Sequence, residues 1–163
     1  MTKLNIQPAD FAITTIEDEI RVDGLCRDLL MDFYEELQAD GGDPEVATEL
    51  ARSADYFVRD FVVGFKQWHL FDEVRSPVRP FAGNWYIVNT LEPTSGELAK
   101  HLAGILAFYR FLAQCDLISA GFLERITEEC GVHQFYEERI RNFWSISGDG
   151  YYEWERACSM KGV

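Results

Sequence analysis

Long hydrophobic runs are missing from this chain of 163 residues. The run "ILAFY" stops at Arg110, far short of the roughly 20 apolar residues that a membrane-spanning helix needs. The opening residues, "MTKLNIQPADFAITTIEDE", hold one lysine and no apolar stretch of the kind a secretory leader requires, so no leader is expected. Cysteine is sparse and scattered. Cys26, Cys115, Cys130 and Cys158 form no Cys-x-x-Cys pair, and reduced thiols acting as small buried hydrophobes are expected. Positive charge is scarce too: 15 Lys and Arg stand against 28 Asp and Glu, a net charge of −13. The imbalance is concentrated early, with 17 acidic and 7 basic residues in 1–75 against 11 and 8 in the remainder. Binding to the phosphate backbone relies on Lys and Arg, so this balance argues against a nucleic-acid partner. It is compatible with a solvated acidic face or with a surface for a basic partner, whose binding salt would weaken. A soluble, cytoplasmic protein without a membrane partner is the expectation.

Strand signals are also absent. No stretch alternates apolar and polar residues, and no turn joins two β-rich runs. What the chain does have is a hydrophobic content of 47% and an aromatic content of 14%, enough for one well-packed domain. Helical periodicity dominates. Val22, Leu25, Cys26, Leu29, Leu30, Phe33, Tyr34 and Leu37 form one stripe, with Thr14 or Thr15 as N-cap and "ADGGD" as the stop. Asp43 followed by Pro44 starts a second helix, whose stripe runs Leu50, Ala54, Phe57, Val58, Phe61, Val62, Phe65 and Trp68. A shorter helix follows "SPVRP". Gly83 within it costs about 1 kcal/mol against alanine, which close packing with another helix would justify. Thr94 and Glu97 have capping-box spacing and open a helix that is apolar on most sides, hence central to the bundle. Ser119 caps a short helix ending at Gly131, residues 134–145 give another, and Asp149 opens the last. The reading is an all-α, single-domain bundle of six or seven helices spanning residues 1–163.

Within the central helix, "FYRFL" at 108–112 is followed shortly by "LIS" at 117–119, after "DYFVRDFVVGF" and "VRPFAGNWY" upstream. This order resembles the core-binding (SAM-like) helical domain of tyrosine recombinases and phage integrases over residues 54–119. The resemblance implies a similar helix arrangement and association with DNA. The sequence departs from the family pattern at Asp116, where glycine is common, and the usual Asn-Pro is missing. The family's catalytic domain has no counterpart: the histidines read "HLFD", "HLAG" and "HQFY", without His-x-x-Arg. No catalytic or DNA-contacting residue is therefore carried over.

Other chemistry finds little support. His69, His101 and His133 are evenly spaced, but they fall at inequivalent places relative to the helices, so they mark no repeat. Cys130 and His133 could hold two corners of a zinc site, with Cys115 and His101 as the only further donors in view. No metal or other cofactor is expected. Glu97–His101 and His133–Glu137 are i,i+4 pairs of the ordinary helix-surface kind, not the Glu-x-x-His of di-iron bundles. No Gly-x-Ser-x-Gly, phosphate loop or dinucleotide fingerprint occurs. The remaining feature is aromatic: Trp144, Tyr151, Tyr152 and Trp154 crowd the C-terminal end. These rings either pack the last helices onto the bundle or form a candidate interaction surface, since Trp and Tyr are common anchors. The expected function is a non-enzymatic protein–protein interaction module, binding another protein or itself. A DNA-associated module is the alternative.

Overall fold

The computed structural model describes residues 4–161. Among them every regular element is helical and there is no strand. A 3₁₀ turn at Pro8–Phe11 precedes seven helices. They are α1 (Ile16–Ala39), α2 (Pro44–Asp55, running on as a π-helical stretch Tyr56–Phe65), α3 (Val78–Pro80, π-helical Phe81–Trp85, then Tyr86–Asn89), α4 (Ser95–Gln114), α5 (Ala120–Gly131), α6 (His133–Trp144) and α7 (Gly150–Lys161). The all-α bundle expected from the periodicity is what forms. Among the described residues no helix is long and apolar enough to cross a membrane.

The helix ends follow local chemistry. Thr15, Asp43, Thr94 and Ser119 each accept a backbone N–H of the first turn through the side chain, which satisfies donors the helix cannot. The Thr94–Glu97 capping box is half made. Thr94 Oγ1 accepts the Glu97 N–H at 3.1 Å, while the Glu97 carboxylate turns to Lys100 at 3.4 Å. After α1 the chain reverses through Gly41 at φ +77°, a left-handed position that suits glycine. Asp116 takes the same region at φ +58° after α4.

The helix containing "FYRFL" is the central one. Leu98, Leu102, Ile105, Phe108, Tyr109, Phe111 and Leu112 of α4 are all buried. It packs most closely on α2, and Gly104 sets the distance: a Cβ there would lie 2.6 Å from the Leu50 carbonyl oxygen and 2.6 Å from Ser53 Cβ. Gly83 in α3 has an equivalent reason. A Cβ on it would fall 2.8 Å from Cys158 Sγ, on α7, and 3.6 Å from the Tyr136 ring, on α6.

A buried arginine closes the C-terminal end. Arg139 on α6 donates from Nε to the Gly83 carbonyl at 2.9 Å and from Nη1 to the Trp154 carbonyl. Trp154 Nε1 returns a bond to the Arg139 carbonyl at 2.8 Å, and the guanidinium lies 3.9 Å over the Trp154 ring. One side chain thereby ties α3, α6 and α7 together.

The two kinds of glycine predict opposite outcomes. Gly104→Ala must push α4 off the α2 backbone, costing about 1–3 kcal/mol as overpacking does. That corresponds to a melting temperature lower by roughly 2–4 °C per kcal/mol. Gly24, inside α1, has nothing within 4 Å of an added Cβ, so Gly24→Ala should stabilise by about 0.5–1 kcal/mol. Thermal unfolding of both variants checks the pair.

Candidate functional site: an aromatic cleft between α2, α3 and α7

Two π-helical stretches build the most developed cleft. In the first, the Lys66 N–H bonds the Phe61 carbonyl at 2.9 Å, five residues back instead of four. Gly64 permits the wider turn, since a Cβ there would meet the Arg59 carbonyl oxygen at 2.7 Å. The widening brings residues four apart nearly into line. Phe57, Phe61 and Phe65 stack as a ladder with centroids 6.1 and 6.3 Å apart and interplanar angles of 28° and 25°. In the second stretch the Tyr86 N–H bonds the Phe81 carbonyl, and Trp85 turns toward the ladder, 5.4 Å from Phe61 and 6.1 Å from Phe65. Extended π-helix is rare, and short π segments recur at functional sites; here both face the same space.

That space is a cleft of about 770 Å³. Phe61, Phe65 and Trp85 line its aromatic side, and Tyr151 and Tyr152 of α7 line the opposite one. Phe65 is 59% exposed and Tyr152 71% exposed, although Phe65 belongs to the expected buried stripe of α2. The departure has a cause: a 3.6-residue period no longer describes the helix after Tyr56, so Phe65 rotates out of the core. Trp68, the last member of that stripe, lies beyond the helix and is sandwiched between Lys66 Nζ at 5.0 Å and the Arg75 guanidinium at 4.8 Å.

Cations collect here on an otherwise acidic chain. Lys66, Arg79 and Arg156 line the cleft against a single carboxylate, Glu155. Arg79 is engaged by Glu129 at 4.0 Å and covers the Phe135 ring at 5.1 Å. Among the described residues Lys66, Arg75 and Arg156 have no ion-pair partner. Nothing in the sequence order announced this, because the three belong to the end of α2, the following loop and α7.

The C-terminal aromatic quartet divides. Tyr151 and Tyr152 line the cleft. Trp144 is 61% exposed but lies outside its lining. Trp154 is buried beneath the Arg139 guanidinium and against Phe143, 5.0 Å away, so as a member of an exposed interaction surface it is corrected to a packing residue.

A second cleft, of about 580 Å³, lies across α3 beside His101. His101 Nδ1 is 3.2 Å from Ser53 Oγ, and its ring packs on Tyr56 at 5.3 Å and Tyr86 at 5.6 Å. Sequence spacing could not reveal this Ser–His contact. It is not a nucleophile pair in form: Ser53 is buried within α2, and among the described residues no carboxylate is ion-paired to the imidazole. The Cys130–His133 pair does not make a site either. Cys130 is buried and its thiol is pushed up to about 12 by desolvation, with Glu129 adding to it, whereas His133 is exposed. Among the described residues no three His, Cys, Asp or Glu side chains converge as metal ligands would.

Burial holds the His101 imidazole below its usual 6.5, with Glu97 opposing the shift. The unfolded chain therefore binds a proton more readily than the folded one. The stability that the neutral ring contributes is complete above 6.5 and is lost as pH falls through the lower folded value. Urea unfolding followed from about pH 7 to about pH 5 should show stability declining, and His101→Gln should flatten that decline.

No protein-family model matches the chain, and no curated protein or solved structure gives a significant match.

Proposed function

We propose that the protein is a non-enzymatic, cytoplasmic interaction module, and that the cleft between α2, α3 and α7 is where it grips an acidic segment of a protein partner. The observation that carries this reading is the combination in one cleft of exposed aromatic rings with Lys66 and Arg156, neither of them ion-paired, on a chain of net charge −13. Exposed rings of this size offer large contact area at small entropic cost, and aromatic residues dominate interface energetics. The cations select carboxylate-bearing segments and disfavour basic ones. Tyr151 and Tyr152 contribute from the C-terminal aromatic group; Trp144 extends the exposed aromatic surface beyond the cleft.

A labelled synthetic peptide alternating glutamate with phenylalanine or leucine should bind saturably, and more weakly as salt is raised. Phe65→Ala and Lys66→Glu, both at accessible positions, should each weaken it by about tenfold or more, as loss of an interface anchor does. Peptide binding that neither variant changes would overturn the assignment. Binding to duplex DNA at low salt, falling steeply as salt rises, would replace it with the DNA-associated reading.

A further inference from the structure

α1 carries an apolar edge that faces away from the core. Ile16 and Ile20 are 72% and 70% exposed. They lie one helical turn apart, the i,i+4 spacing by which an amphipathic helix seats anchors in a groove. By helical angle, Gly24, Arg27 and Met31 continue the same line, Met31 also exposed, so the apolar part of the edge is the Ile16–Ile20 turn. Gly24 has open space around it, so another surface can approach the backbone there. Glu17 and Glu19 flank the Ile16–Ile20 pair, one on each side, whereas Asp28 farther along is paired with Arg27 at 3.8 Å. An apolar helical edge bordered by carboxylates is the complement of an aromatic cleft bordered by cations.

Both halves of that match are on one chain. The acidic excess sits in residues 1–75, which include the whole of α1. Lys66 and Arg156, neither of them ion-paired among the described residues, line the cleft. The two surfaces also belong to the same end of the molecule, because Gln67, next to Lys66, donates to the Glu19 carboxylate of α1 at 2.7 Å. A chain cannot fold its own α1 into the cleft, since Val22, Cys26, Leu29, Leu30 and Phe33 of that helix are fixed in the core.

We infer that the protein self-associates, the Ile16–Ile20 edge of one copy seating in the Phe65–Trp85–Tyr152 cleft of another. The inference rests on the cleft being a docking site for acidic segments, and it names a second copy of this chain as the occupant. With edge and cleft at one end of the molecule, two copies related by a two-fold axis exchange both contacts and close as a dimer.

The test is molar mass in solution by sedimentation and light scattering, over a range of protein and salt concentrations. The wild type should exceed a monomer at high protein concentration and dissociate on dilution. Ile16→Lys with Ile20→Lys, and separately Phe65→Glu, should each raise the dissociation constant by about tenfold or more. All three positions are exposed, and circular dichroism of the variants confirms that they fold. An equimolar mixture of the two variants should pair more tightly than either variant with itself, because it restores one of the two edge–cleft contacts intact. A wild type that stays monomeric at high concentration overturns the inference, as does a dimer unaffected by either variant, or a mixture that pairs no more tightly than its components. A monomer that still binds the acidic peptide through Phe65 removes the second copy as occupant and leaves the cleft assignment standing; loss of both removes both.

Discussion

The contact that organises this fold is backbone against backbone: Gly104 of α4 against the Leu50 carbonyl and Ser53 of α2. Its closeness lets α4 bury one broad face, leaving Lys100, Ala103, Arg110 and Gln114 on the exposed side. It also brings His101 over α2, one turn before Gly104, where the ring reaches Ser53 and packs between Tyr56 and Tyr86. That packing holds α2 in place up to Tyr56, where regular α geometry stops. From Tyr56 to Phe65 the helix widens, and the ring ladder it generates interlocks with Phe81 and Trp85 of α3, Phe57–Phe81 at 5.2 Å and Phe61–Phe81 at 5.5 Å. The cleft lies at the free end of that ladder. A loosened Gly104 crossing would therefore be felt at Phe65 through packed rings, not through solvent.

The charge distribution has two scales. At long range the molecule is an anion of −13, which repels polyanions. Within a Debye length of roughly 8–10 Å, the cleft presents Lys66 and Arg156 without ion-pair partners among the described residues. A compact acidic segment experiences mostly the local field once it docks, whereas an extended phosphate chain would also meet the acidic surroundings. Under the function proposed above, this difference in reach is what would favour a protein segment over a nucleic-acid duplex at Lys66 and Arg156.

Much of the architecture was legible because helix boundaries are local chemistry. Thr15, Asp43, Thr94 and Ser119 are caps that can be read from one turn of sequence, and each makes its bond. Gly83 was legible as a packing glycine because a mid-helix glycine needs a reason, although its partners, Cys158 and Tyr136, were not. The cleft was mostly illegible. Periodicity assumes 3.6 residues per turn, so it assigned Phe65 to the core and had no means of signalling a π-helical stretch. The burial of Arg139 had no signal in the sequence, since the carbonyls of Gly83 and Trp154 that it bonds come from distant segments. The Ser53–His101 contact and the gathering of Lys66, Arg79 and Arg156 likewise depend on which helices cross.

The same limit applies to the "FYRFL" stretch. Phe108, Tyr109, Phe111 and Leu112 are spent on the core, which leaves Arg110 as the one member of that motif facing water. A helix in that condition can support a binding surface but has little side chain left to form one. Any surface the protein uses must then come from helices with exposed rings and unpaired charge. The end of α2, the middle of α3 and the first turns of α7 meet that description together. They are joined by Arg139, which bonds Gly83 in α3 and the Trp154 carbonyl in α7. The side chain that closes the C-terminal end is thus also what fixes the two walls of the cleft at their working separation.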